Sequence, residues 1–175
     1  VYADLDIQNG AAAAYLDLPD SINVLHTLSA GESLAETPFA SALAKHRSGL
    51  KLLAAPQEIV SLDAVRASHI GGLMDGLRRN SALTIIDLPS ASTSWTTEVL
   101  SQADQIALVT QLTVPHVQMM KRQLNMLATH NIAARQILVL NAVSRDQQTS
   151  LTVKAAERAL GRPFDVVIPY DARTV

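Results

Sequence analysis

The sequence predicts an α/β fold: a mostly parallel sheet with helices on both faces. Three observations predict it. Short apolar runs alternate with longer segments of helical period. Ala82 to Leu88 is nearly all apolar, as a strand covered on both faces requires. Polar residues sit where the predicted strands end: Asp4 and Asp6, Asp87, and Asn141. In a parallel sheet those ends share one edge, where open α/β folds place their chemistry.

The elements follow in order. Val1 to Asp6 reads as a buried strand running into a turn at Gly10, and Ala11 to Leu18 as an Ala-rich helix stopped by Pro19. Ile22 to Leu28 reads as a short helix with Ser21 as its cap. Leu50 to Ala54 is a second strand. Ser61 caps a helix expected to run to Asn80, since Leu62, Val65, Ile70, Leu73 and Leu77 recur at helical spacing. Gly71-Gly72 weakens that helix by about 1 kcal/mol per glycine relative to Ala, and close packing on the sheet is the expected reason for the pair. Gln105 to Thr110 is a strand and Val114 to His130 a helix. Ile137 to Leu140 is a strand ending at Asn141, and Ser150 to Leu160 a helix stopped at Gly161. Val166 to Ile168 is the last strand, closed by Pro169.

Composition narrows the function. The 175 residues suit a single domain, and 48% of them are hydrophobic. A net charge of −2 and 3% aromatic residues argue against nucleic acid as a partner. The pairs Arg78-Arg79 and Lys121-Arg122 read as solvated helix faces. The absence of cysteine excludes disulfides and thiolate metal sites, and suits the cytoplasm. No apolar run reaches the ~18 residues of a transmembrane helix. His26, His46, His69, His116 and His130 lie in five different elements, which disfavours zinc. Ser90, Ser92 and Ser94 lack a G-x-S-x-G elbow and read as a loop. Met119, Met120 and Met126 read as helix packing, as does Trp95, which could equally mark a partner surface.

The strand-end polar groups have two readings. Each can cap a neighbouring helix or close a turn. Alternatively the carboxylates act on a magnesium-bound water, for which oxygen ligands are suited, and the amide of Asn141 reads a base. Asp4 and Asp6 share a strand face by the period of two, and two carboxylates so placed repel unless a cation or donor is near.

Taken together, the stretches Asp4-Leu5-Asp6-Ile7-Gln8-Asn9-Gly10, Ser48-Gly49-Leu50 through Ala54-Ala55-Pro56, Ile85-Ile86-Asp87-Leu88-Pro89, Leu138-Val139-Leu140-Asn141 and Ala159-Leu160-Gly161-Arg162-Pro163 resemble a known family. It is the ATPase-like domain of TadZ/CpaE-type pilus assembly proteins, within the MinD/ParA group of deviant P-loop ATPases. The resemblance spans the visible chain as a single domain, residues 1–175. It implies that Asp6 positions the attacking water and that Asp4 supports the magnesium shell. It implies that Asp87 acts on magnesium through water, and that Asn141 faces adenine with Pro169 and Tyr170 lining the far side. Asp87 to Trp95 would be the switch that senses the γ-phosphate.

By the same resemblance the intact protein is an ATP- and magnesium-dependent, dimerising localisation factor. Its partners would be pilus machinery, and its place the cytoplasm, at the cell pole or inner membrane face. The alternatives are a non-catalytic scaffold with a degenerate nucleotide site, and a partition or cell-division positioning ATPase. No G-x-x-x-x-G-K-[ST] occurs in the sequence, and Ser90 stands where many relatives carry Arg. The chain, starting on Val1, is therefore expected to be a piece of a longer protein without its P-loop strand and receiver-like domain. It should bind MgATP weakly or not at all by itself. The resulting gap is expected to close by pairing of the flanking strands or by association with another copy.

Overall fold

A computed structural model describes residues 1–19, 23–29, 39–143 and 151–171. The chain divides into two compact units, Val1–Val99 and Leu100–Val175.

The first unit holds a four-stranded sheet. Its strands are β1 (Tyr2–Asp4), β2 (Ala44–Lys45), β3 (Lys51–Leu53) and β4 (Ile85–Asp87), in the order β2-β3-β1-β4. β1 runs parallel to β3 and β4, and β2 is antiparallel to β3. The helices are α1 (Ala12–Tyr15), α2 (Val24–Ser29), α3 (Ala67–Asn80) and α4 (Ser94–Ser101). Leu5, Ile7, Leu53, Ile70, Leu73 and Trp95 are among the buried residues of one core.

The second unit holds a three-stranded parallel sheet, β5 (Gln105–Thr110), β6 (Arg135–Val143) and β7 (Val166–Pro169), in that order. Its helices are α5 (Val114–Thr129) and α6 (Val153–Leu160). One apolar cluster centres on Leu140, Val117 and Ala156, another on Ile106, Leu127 and Ile132.

The α/β class is borne out, with one antiparallel strand, β2, that the sequence reading missed. It is two residues long and forms a hairpin with β3 through the His46–Leu50 turn. Gly49 takes φ +89° there, a left-handed conformation suited to glycine. The His46 N–H donates to the Leu50 carbonyl at 2.9 Å, and the His46 ring meets Ser48 Oγ at 2.8 Å. The Ser48-Gly49-Leu50 motif therefore shapes a turn.

Several boundaries differ for physical reasons. The cap predicted at Ser21 lies outside the described residues. The helix α2 begins at Val24, where Asn23 Oδ1 accepts the N–H groups of Leu25 (3.0 Å) and His26 (3.3 Å). The helix expected from Ser61 to Asn80 is broken. Ser61 caps only a 3-10 turn, Leu62–Ala64, and the chain is extended at Val65 and Arg66 before α3 starts. That extended step buries Val65 in the core, while the Trp95 indole N–H donates to the Leu62 carbonyl at 3.0 Å. Trp95 is 2% exposed, so its role is packing.

The glycine pair does not pack on the sheet. A Cβ on Gly71 or Gly72 would meet open space, whereas one on Gly76 would lie 2.6 Å from the Phe39 ring. The close approach of α3 therefore falls at Gly76, and its neighbour is the 3-10 turn Phe39–Ala42, not the sheet. In the second unit, Thr113 caps α5 and Thr152 caps α6, and Gly161 stops α6 at φ +76° as predicted. The start expected at Ser150 lies outside the described residues. Arg162 then donates to the Gln136 carbonyl (3.2 Å) and to Asp165 (3.1 Å), whose carboxylate accepts the Leu138 N–H at 2.8 Å. The Gly161-Arg162 motif thus pins the return from α6 to β7 against β6.

Each sheet ends on a strand with an unpaired side. Among the described residues, β4 pairs only with β1, and β5 only with β6. Covering on both faces was expected over Ala82 to Leu88, but Ile85 is 54% exposed and β5 leaves Val109 60% exposed.

Candidate functional site

The site in the first unit is built on β1 and β4. Because the strands are parallel and in register, Asp4 stands directly opposite Asp87 at the shared C-terminal edge. The sequence reading brings these two carboxylates together, and the fold does so. Their surroundings differ sharply. Asp4 is 1% exposed, whereas Asp87 is open to solvent.

Asp4 is held by backbone donors. Its Oδ1 accepts the Asp6 N–H at 3.3 Å and its Oδ2 the Ala12 N–H at 3.1 Å. Burial raises its pKa above the ordinary aspartate value, opposed by the Ala12 N–H and reinforced by the negative charge of Asp87. The donors that a buried carboxylate needs are thus supplied by the turn that follows it.

Asp6 lies beyond the end of β1, so strand periodicity does not govern it. It is partly exposed, and its Oδ1 accepts the N–H groups of Gln8 (3.2 Å) and Asn9 (3.0 Å). Its carbonyl accepts the Gly10 N–H at 2.7 Å. Residues 6–10 therefore form a tight turn wrapped on two aspartates.

Tyr2 is a residue that the sequence reading passed over. Its hydroxyl donates to Asp87 Oδ2 at 2.8 Å. Burial, this hydrogen bond and the nearby carboxylates raise its pKa, so the phenol keeps its proton and remains a donor. The signal was present: Tyr2 is two residues before Asp4 and so shares its strand face.

The loop after Asp87 leads to α4. Thr93 and Thr96 cap each other there: the Thr93 N–H donates to Thr96 Oγ1 at 2.8 Å, and the Thr96 N–H to Thr93 Oγ1 at 3.1 Å.

Asn141, Pro169 and Tyr170 lie in the second unit, at one end of β6 and β7. β6 runs on through Asn141 to Val143 rather than ending there. Leu140 pairs with Val167 and Val143 with Pro169, so β6 carries one extra residue between them. That bulge is accommodated by Ala142 at φ +54°. Asn141 Oδ1 accepts the Ala142 N–H at 2.8 Å, leaving its amide N–H groups with no partner among the described residues. Tyr170 is 61% exposed, and its N–H donates to the Val143 carbonyl at 3.0 Å.

Among the described residues no three His, Asp or Glu side chains cluster to hold a metal directly. The donor set at the β1/β4 edge still fits magnesium, which retains several waters and needs only one or two carboxylates. Asp87 Oδ1 has no partner among the described residues, and Asp4 adds negative charge behind it. Among the described residues no helix is long and apolar enough to cross a membrane.

No protein-family model and no curated protein matches the chain. Solved structures do. A ParA family ATPase from Chlorobium tepidum TLS is 17% identical with a TM-score of 0.74, covering 97% of this chain and 70% of that one. A chain of the MinC:MinD cell division protein complex of Aquifex aeolicus is 18% identical, with a TM-score of 0.73 over 98% of this chain and 69% of its own. The septum site-determining protein MinD of Pyrococcus horikoshii OT3, complexed with Mg-ADP, is 16% identical. Its TM-score is 0.72, over 97% of this chain and 68% of its own. The chain therefore has the MinD/ParA type of P-loop NTPase-like fold.

Proposed function

We propose that this chain belongs to a magnesium- and nucleotide-dependent positioning factor, and that the system it serves is tight-adherence pilus assembly. The observation that carries the nucleotide reading is the in-register Asp4–Asp87 pair at the edge of β1 and β4, with Asp87 open to solvent. The MinD/ParA-type fold supports a positioning role, since its neighbours are named for septum siting, cell division and the ParA family. The pilus branch rests on the Ser48-Gly49-Leu50 and Ala159–Pro163 resemblance.

In this reading Asp87 Oδ1 orients a water on magnesium, and magnesium supplies the charge that offsets the phosphates. Asp4 orders the turn through the Ala12 and Asp6 N–H groups and adds its field to Asp87. Asp6 holds the attacking water, and Asn141, Pro169 and Tyr170 form the adenine side. The protein acts as a homodimer with pilus components, at the pole or inner membrane face.

The test uses the full gene product, with ATP turnover and magnesium-dependent ATP affinity measured for the parent, Asp87→Asn and Asp6→Ala. Loss of the magnesium response in Asp87→Asn, and of turnover in Asp6→Ala, is expected. Unchanged turnover in Asp6→Ala removes its assigned role.

A second reading, a non-catalytic scaffold, is favoured by one observation. Both Asp4 oxygens are already occupied by backbone donors, as a purely structural carboxylate would be. A parent protein with no magnesium-dependent nucleotide binding would establish that reading instead.

A further inference from the structure

We propose that Tyr2 is a positioning residue for Asp87, locking one carboxylate oxygen so that the other alone faces a magnesium-bound water. The inference rests on the metal role of Asp87 given above.

The geometry is specific. Tyr2 is the register partner of Ile85, and Asp4 that of Asp87, on adjacent parallel strands. Tyr2 and Asp4 share a face of β1, so the Tyr2 ring lies alongside the carboxylate pair. Its hydroxyl reaches two residues along the neighbouring strand to Asp87 Oδ2, at 2.8 Å. Asp87 is exposed, and a free carboxylate on an exposed strand end turns about its terminal torsion and presents either oxygen. A hydrogen bond from a neutral hydroxyl to an ionised carboxylate is among the stronger ones, and it fixes that torsion. Oδ1 is left without a partner among the described residues.

Tyr2 also separates the two aspartates by function. Asp4 takes its donors from the backbone of its own turn and does not compete for the hydroxyl. Among the described residues, the only side-chain donor to the pair goes to the exposed member. Groups that orient a metal-associated carboxylate typically change metal affinity by about 10- to 100-fold when removed. Action through an intervening water places Tyr2 at the lower end of that range.

The experiment titrates magnesium into the full gene product with a fluorescent ADP as probe. Tyr2→Phe deletes only the hydroxyl, and Tyr2→Leu serves as a second variant without it. The magnesium concentration at half-response should rise by about tenfold in both. Probe affinity in EDTA and the melting temperature of Tyr2→Phe should stay unchanged, which a merely structural role would not produce. An unshifted midpoint in Tyr2→Phe, with the response abolished in Asp87→Asn, overturns the proposal and leaves the Asp87 reading standing. A magnesium response that survives in Asp87→Asn, or is missing from the parent, overturns the Asp87 reading and this proposal with it.

Discussion

Asp4 and Gly10 are packed so closely that position 10 has no room for a side chain. A Cβ there would strike Asp4 Oδ1, and would lie 2.5 Å from Ala55 Cβ and 2.6 Å from the Asp6 carbonyl oxygen. The turn that carries Asp6 closes against the buried carboxylate from which it starts.

Gly10→Ala should therefore destabilise the first unit by about 1–3 kcal/mol, the usual range for forcing atoms into a filled site. None of the three neighbours is the free end of a long side chain, so relief requires the turn itself to shift. Urea unfolding of parent and variant measures the loss. Equal midpoints would mean that the turn opens without penalty.

The pH dependence of stability should carry the signature of Asp4. Its folded pKa is raised, chiefly by burial, against the pull of the Ala12 N–H. Between the unfolded and the raised folded value, the folded state binds more protons than the unfolded state. Stability then falls as pH climbs through that window, and the whole penalty is present above the folded pKa. Asp4→Asn cannot ionise, so the parent's stability relative to this variant should decline from acid pH towards neutrality. Unfolding free energies at a series of pH values give this difference. A parent that instead gains on the variant as pH rises would show the backbone donors outweighing burial.

The glycines of α3 should respond in opposite directions. Gly71 and Gly72 face open space, so Gly71→Ala and Gly72→Ala should each stabilise by about 0.5–1 kcal/mol by restricting the unfolded chain. Gly76→Ala must displace the buried Phe39 ring and should lose about 1–3 kcal/mol despite the better helix former. Thermal melting of the three variants separates the cases. A stabilised Gly76→Ala would mean that Phe39 has somewhere else to go.

Much of the candidate site could be read from the chain because its logic is local. Asp4, Asp6 and Asp87 mark strand ends by their position after apolar runs, and parallel pairing then puts strand ends on one edge. What could not be read is how each carboxylate is used. Asp6 belonged to the strand by periodicity and to the turn in fact, because its Oδ1 satisfies two backbone N–H groups that no strand partner takes. The break of the helix at Val65 and Arg66 was equally hidden. The helical spacing continues through it, and only the burial of Val65 and the demand of the Trp95 indole for an acceptor interrupt it.

The sequence by itself determined the α/β class, the strand end at Asp87 and the stop at Gly161. These depend on side-chain period and on conformations open to glycine, which neighbouring residues encode. Only the tertiary structure decided that Asp87 takes its donor from Tyr2, that Gly76 rather than Gly71 and Gly72 is the packing glycine, and that β6 bulges at Ala142. It also decided that the described strands form two sheets, ordered β2-β3-β1-β4 and β5-β6-β7. Each of these depends on which atoms meet across separate elements, and a linear pattern of residues carries no distance between them.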